Sequence, residues 1–184
     1  MENIRVWTKQ HQSVWEILQR DGIYHATGDR IFRNEDSQLM RDAYNWLAGH
    51  IPNAASKPMG AAYPIWLSFS HAGTMLLTPD TLLLELELPM ELITHINIAK
   101  WGTILNCSYI PSDEADAQRH RKLLSDYNTT DVRACMTQFF PQIRREIQDS
   151  WDRLFDPAIQ VGSPECYGTI WEVRKEWVRT VEKP

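Results

Sequence analysis

The sequence predicts an α+β fold of small mixed or antiparallel sheets with flanking helices. Segments of period-two alternation lie at both ends and in the middle of the chain, and blocks of helical periodicity lie between them. Strands that flank two blocks of helix do not follow the regular alternation of a doubly wound sheet. At 184 residues the chain has the size of one domain, 1–184, and no internal repeat or low-complexity tract divides it.

The elements follow in order. Residues 4–8 (I-R-V-W-T) alternate apolar and polar side chains and read as the first strand. S-V-W-E at Ser13 to Glu16 has the spacing of a capping box, and the helix it opens stops at Asp21-Gly22. A second helix is expected from about residue 36 to 48, with Leu39, Met40, Ala43, Trp46 and Leu47 on one face and Arg41, Asp42 and Asn45 on the wet one. Pro52, Pro58 and Gly60 then punctuate residues 51–62, which read as a long functional or mobile loop.

Residues 63–70 (Y-P-I-W-L-S-F-S) and 82–88 (L-L-L-E-L-E-L) are the clearest strands, with Pro64 at the beginning or on an edge. A short turn is expected over 90–93 after Pro89, and a strand near 103–106. Residues 112–128 suit a solvated helix, with acids first and Arg119, Arg121 and Lys122 toward its end. The helical tract 130–155 is broken by Pro141, after which Ile143, Ile147, Trp151 and Leu154 form a core stripe. The tail, 169–181, reads as strand, short turn and strand.

Composition excludes several classes. A net charge of -5 gives no global attraction to nucleic acid, so a binder built on Arg119, Arg121, Lys122, Arg144 and Arg145 ranks third among the functional readings. The first ten residues lack the apolar run of a signal peptide, and Glu85 and Glu87 interrupt the longest apolar run, so a cytoplasmic protein with no membrane span is expected. Cys107, Cys135 and Cys166, odd in number and widely spaced, read as buried thiols and not as a disulfide framework or a zinc site.

The phosphate-loop, dinucleotide, nucleophile-elbow and H-E-x-x-H motifs are missing. The histidines at 11, 25, 50, 71, 95 and 120 stand alone, so no metal site is expected. Glu85 and Glu87 share a strand face, where they form either a carboxylate pair or, more simply, a solvated edge. Of the eight tryptophans, Trp7, Trp66, Trp101, Trp151, Trp171 and Trp177 lie on apolar elements and read mainly as core anchors.

V-W-T-K-Q, V-W-E-I-L with Gly22, Y-P-I-W, L-L-E-L-E-L-P and W-E-V-R-K-E-W-V together resemble a bacterial family of unknown function, DUF3841, nearly from end to end. This resemblance implies no activity. A looser one is to the ADP-ribosyltransferase fold, whose compact members place an Arg or His on the first strand, a Tyr or Ser on a middle strand and a Glu on a late strand. Arg5, then Tyr63 or the Ser68 and Ser70 pair, then Glu172 stand in that order here.

That likeness implies NAD as substrate, with Glu172, Arg5 and Tyr63 catalytic. Glu172 would stabilise an oxocarbenium-like centre, with Glu85, Glu87 or Glu165 as the substitutes for it. Arg5 would bind the phosphates, Thr8 the ribose or amide, and Tyr63 or Trp66 would stack on nicotinamide, with Ser68 and Ser70 completing the cofactor-binding set. It also implies a macromolecular acceptor, protein or nucleic acid, for a toxin or defence effector. The second reading is a non-catalytic interaction module whose tryptophans and helical tract 130–155 bury against a cognate antitoxin or regulator.

Overall fold

The computed structural model describes residues 2–32, 37–74 and 76–184. The fold is α+β, and the chain divides into two compact units: one made of the described residues up to 32, Ile51–His95 and Tyr167–Pro184, the other of residues 37–50 and Ile96–Cys166.

The first unit is built on short antiparallel ladders. β1 (Asn3–His11) leads into α1 (Gln12–Asp21), β2 (Ile23–His25) and α2 (Gly28–Ile31); β3 (Ile65–Leu67), β4 (Thr81–Pro89) and β5 (Thr94–Asn97) follow; β6 (Cys166–Ile170), β7 (Glu172–Arg174) and β8 (Val178–Glu182) close it. The sheets run β1-β4-β8, β2-β7 and β3-β6-β5, so the three C-terminal strands each enter a different sheet.

β4 is central because its leucines can all be buried on one side. Leu82, Leu84, Leu86 and Leu88 are almost wholly enclosed, packed with Val6, Val14, Leu18, Ile65, Leu67 and Val173. Glu85 and Glu87 take the other face, as the simpler expectation had it, and do not form a carboxylate pair. Glu85 meets Arg5 at 3.2 Å and the Thr180 hydroxyl at 2.7 Å, while Glu87 meets Arg179 at 3.1 Å.

Two local expectations need correction here. The N-cap of α1 is His11, whose Nδ1 accepts the Ser13 N–H at 3.1 Å, so Ser13 lies inside the helix. Gly22 closes that helix as expected, at φ 77. The strand read over 63–70 contracts to β3, with single bridges from Tyr63 to Ala26 and from Ser68 to Trp7. Pro64, lacking an N–H, stands just before β3, where no ladder bond is lost.

Gly168, in β6, is required by close packing. A Cβ there would lie 2.8 Å from Ile93 Cγ2 and 3.2 Å from Phe69 Cζ. Gly168→Ala is therefore expected to destabilise the fold by about 1–3 kcal/mol, read as a lower urea midpoint at unchanged slope.

The second unit is helical: α3 (Gln38–His50), α4 (Ile98–Leu105), α5 (Glu114–Asp126), α6 (Asp131–Met136) and α7 (Pro141–Ser150), which runs on as a 3-10 turn, Trp151–Phe155. The expected start of the second helix at Asp36 lies outside the described residues. The strand read near 103–106 is helical. The Asn97 side chain caps α4 by accepting from Lys100 N at 2.9 Å, and Trp101 and Ile104 are buried one turn apart.

Pro141 stands at the first turn of α7, which buries Ile143 and Ile147, with Trp151 and Leu154 continuing the stripe. Trp46 crosses Trp151 edge-on at 5.5 Å, and Tyr44 meets Trp101 at 5.3 Å. Lys100 is buried and donates to the carbonyls of Arg153 at 2.8 Å and Asp156 at 2.7 Å at the end of the 3-10 turn; burial lowers its pKa.

The reading of three buried thiols also fails. Cys107 and Cys135 form a disulfide, and Cys166 is free and exposed. Cys107 lies just past α4 and Cys135 on α6, a spacing with no motif to announce it. Among the described residues no helix is long and apolar enough to cross a membrane.

Candidate functional site

In the first unit the pairing of β2 with β7 sets His25 directly opposite Glu172. Tyr24 and Val173, one residue away on each strand, are buried in the core, so period two turns His25 and Glu172 to the other face. His25 Nε2 lies 3.2 Å from Glu172 Oε2, and Arg174 Nε donates to Oε1 at 2.7 Å. The carboxylate thus has an imidazole on one oxygen and a guanidinium on the other. It is mostly enclosed, with a side chain 16% exposed against 21% for His25.

Tyr63 reaches the same region through backbone pairing. Ala26 O accepts from Ala62 N at 2.9 Å and Tyr63 N at 3.4 Å, so the chain at 25–26 is flanked by Glu172 on one side and Tyr63 on the other. The Tyr63 ring meets Phe32 edge-on at 5.3 Å. Gly60, at φ +98, brings the 51–62 loop to His25, and a Cβ there would lie 3.8 Å from Nδ1. Trp171 fastens that loop by donating Nε1 to Asn53 O at 3.1 Å and Oδ1 at 3.0 Å.

The remaining expected site residues go elsewhere. Thr8, Trp66, Ser68 and Ser70 gather where β1 meets β3. Thr8 Oγ1 donates to Trp66 O at 2.8 Å, Ser68 Oγ to Ser70 O at 2.7 Å, and Ser70 Oγ accepts from Gly73 N at 3.1 Å. Their hydroxyls hold the backbone of this crossing. Arg5 is on the opposite face of β1 from buried Thr8, 62% exposed and paired with Glu85. Arg5 and Glu172 lie in different sheets, and each has its own partners. Glu165 is exposed, its backbone N–H bonded to Ser163 Oγ at 3.2 Å.

Sequence reasoning missed His25, taken there as one of six solitary histidines. The available signal was its place on a short strand right after the helix-ending glycine, in G-I-Y-H-A-T.

A family model described as a domain of unknown function, DUF3841, matches residues 5–179. The chain belongs to that family. The matched stretch of this DUF3841 domain holds both elements of the histidine–glutamate pair, most of the first compact unit and the described residues of the second. No curated protein and no solved structure matches the chain.

The helical unit of the DUF3841 domain carries a second polar cluster. His120 is buried, its Nε2 2.7 Å from Asp131 Oδ1 and its Nδ1 3.1 Å from Glu146 Oε1, with the Tyr109 ring stacked on it at 4.0 Å. Burial opposes charge on this imidazole, but the two carboxylates outweigh it and raise its pKa.

Asp116 accepts from the Tyr109 hydroxyl, Arg119, Arg153 and the Ser112 N–H. Its burial also opposes charge, and those donors hold the carboxyl well below the usual carboxylate range. Four of the five cations of the expected basic patch are engaged: Arg119 with Asp116 and Glu146, Arg121 with Glu114, Lys122 with Asp126, and Arg144 with Thr137 O. Among the described residues, no group of three or more His, Cys, Asp or Glu side chains is placed to hold a metal ion.

Proposed function

We propose that this DUF3841 domain is an NAD-dependent ADP-ribosyltransferase-like enzyme in which His25, and not Arg5, accompanies Glu172 at the site. The observation that carries the reading is the histidine–glutamate pair at 3.2 Å, mostly enclosed and flanked by Tyr63. Cleavage of the nicotinamide glycosidic bond develops positive charge at the ribose. A carboxylate beside the ribose stabilises that charge and accepts a hydrogen bond from the 2-hydroxyl. Glu172, held on both oxygens, suits that role; the Tyr63 ring suits stacking on nicotinamide, and His25 a hydrogen bond to the ribose.

In this reading the acceptor is a macromolecule, and the protein acts in the cytoplasm as a toxin or defence effector. The thiol pool there would keep Cys107 and Cys135 reduced. Incubating the purified chain with NAD is expected to release nicotinamide. Glu172→Ala or His25→Ala should lower the rate by about a hundredfold or more, whereas Arg5→Ala should change it little. Release that survives both changes, or none with any acceptor mixture, rejects the reading.

One observation favours a second reading, an interaction module. Val132, Met136 and Phe139 are exposed within the 130–155 tract, Phe139 by 79%. That reading expects a complex with a regulator protein that forms without NAD and is lost in Phe139→Glu.

A further inference from the structure

The helical unit contains a cavity of about 440 Å³ whose lining includes Tyr109, Arg119, Gln142, Arg145, Asp149 and Arg153. It is separate from the histidine–glutamate pair in sequence and in chemistry. α7 explains its polarity. Gln142, Arg145 and Asp149 recur at three- and four-residue spacing on the wall, while Ile143 and Ile147 occupy the buried side of the same helix.

The charges on this wall are unequally engaged. Arg119 uses every nitrogen, on Asp116, Glu146 and the Tyr109 hydroxyl. Arg153 gives only Nη1, to the Tyr109 hydroxyl, Ile110 O and Asp116, which fixes its plane and leaves the Nε and Nη2 donors without a partner among the described residues. Arg145 makes no hydrogen bond or ion pair among them, and neither does Asp149, midway between the two arginines in sequence. An ordinary solvated helix face would let an arginine and an aspartate four residues apart satisfy one another. Here both remain available at one concavity beside a guanidinium held in place by its neighbours.

We propose that this cavity binds a small polar molecule with an oxyanion at one end, gripped by Arg145 and the free edge of Arg153, and hydroxyl or amine donors at the other, received by Asp149. Guanidinium groups match the geometry of carboxylate and phosphate oxygens in paired hydrogen bonds. The aspartate accounts for selectivity, since it disfavours a bare anion and rewards one that carries donors. The volume suits a small metabolite and exceeds what a lone phosphate ion fills.

The test is calorimetric titration of the full chain with three probes: inorganic phosphate, glycerol 3-phosphate and glycerate. A hydroxyl-bearing probe is expected to bind, and whether the phosphate or the carboxylate form binds tighter identifies the oxyanion. Arg145→Ala and Arg145→Gln should each weaken that binding about tenfold or more with the circular dichroism spectrum unchanged. Asp149→Asn should narrow the preference over inorganic phosphate. Glu172→Ala should leave all three titrations as they are, which separates this site from the NAD reading. No heat with any probe, or wild-type affinity in both Arg145 variants, overturns the proposal.

Discussion

Trp151→Ala is expected to lower stability by about 3–5 kcal/mol, enough to unfold much of a domain of ordinary stability. Three losses combine. The indole is 1% exposed, so its removal opens a cavity among rigid neighbours. Its edge contact with Trp46 disappears. Its Nε1, which donates to Ser108 O at 2.9 Å, leaves that carbonyl without its partner. Trp151→Phe retains most of the volume and should recover part of the loss, the missing N–H accounting for the remainder. Urea denaturation of both variants checks this; wild-type midpoints in both would show that the stripe on α7 is not core.

His120→Gln should lower stability by about 3 kcal/mol at neutral pH, near the lower end for a broken buried ion pair because Glu146 is 32% exposed. The pH dependence is more diagnostic. The folded state raises the pKa of His120 above its unfolded value, so folding favours the protonated ring. Its contribution is complete below the ordinary imidazole value of about 6.5 and is lost as pH rises through the raised folded value. Wild-type stability, followed by urea titration between pH 6 and pH 8, should fall with pH. The glutamine variant should lack that slope. A wild type that gains stability over the same window would mean His120 is neutral in the fold.

The elements with strong periodicity were legible. β4 announced itself through leucines at every second position, and the cap residues of α5 and the proline of α7 marked their ends. The errors arose where local preference and tertiary context disagree. Thr103, Ile104 and Leu105 favour a strand by composition, but the Asn97 cap and the turn-spaced Trp101 and Ile104 make them helix. Ser13 has the chemistry of a cap, yet β1 continues through His11, which takes the role first.

The candidate site was half legible. Glu172 and Tyr63 could be picked from their strands, but the partner of Glu172 is 147 positions away, and only strand register brings it opposite. Short-range spacing carries no information about such a pairing. The same holds for Cys107 and Cys135, and for His120 with Asp131 and Glu146.

The strand order β1-β4-β8 has a consequence for biosynthesis. β4 acquires β1 as soon as residues 3–89 leave the ribosome, but its other neighbour, β8, is encoded after everything from Met90 to Trp177. Throughout that interval one side of a leucine-rich strand has bare amide and carbonyl groups, the kind of edge that recruits strands from other chains. That edge is closed only when the final ladder, β4 with β8, has formed.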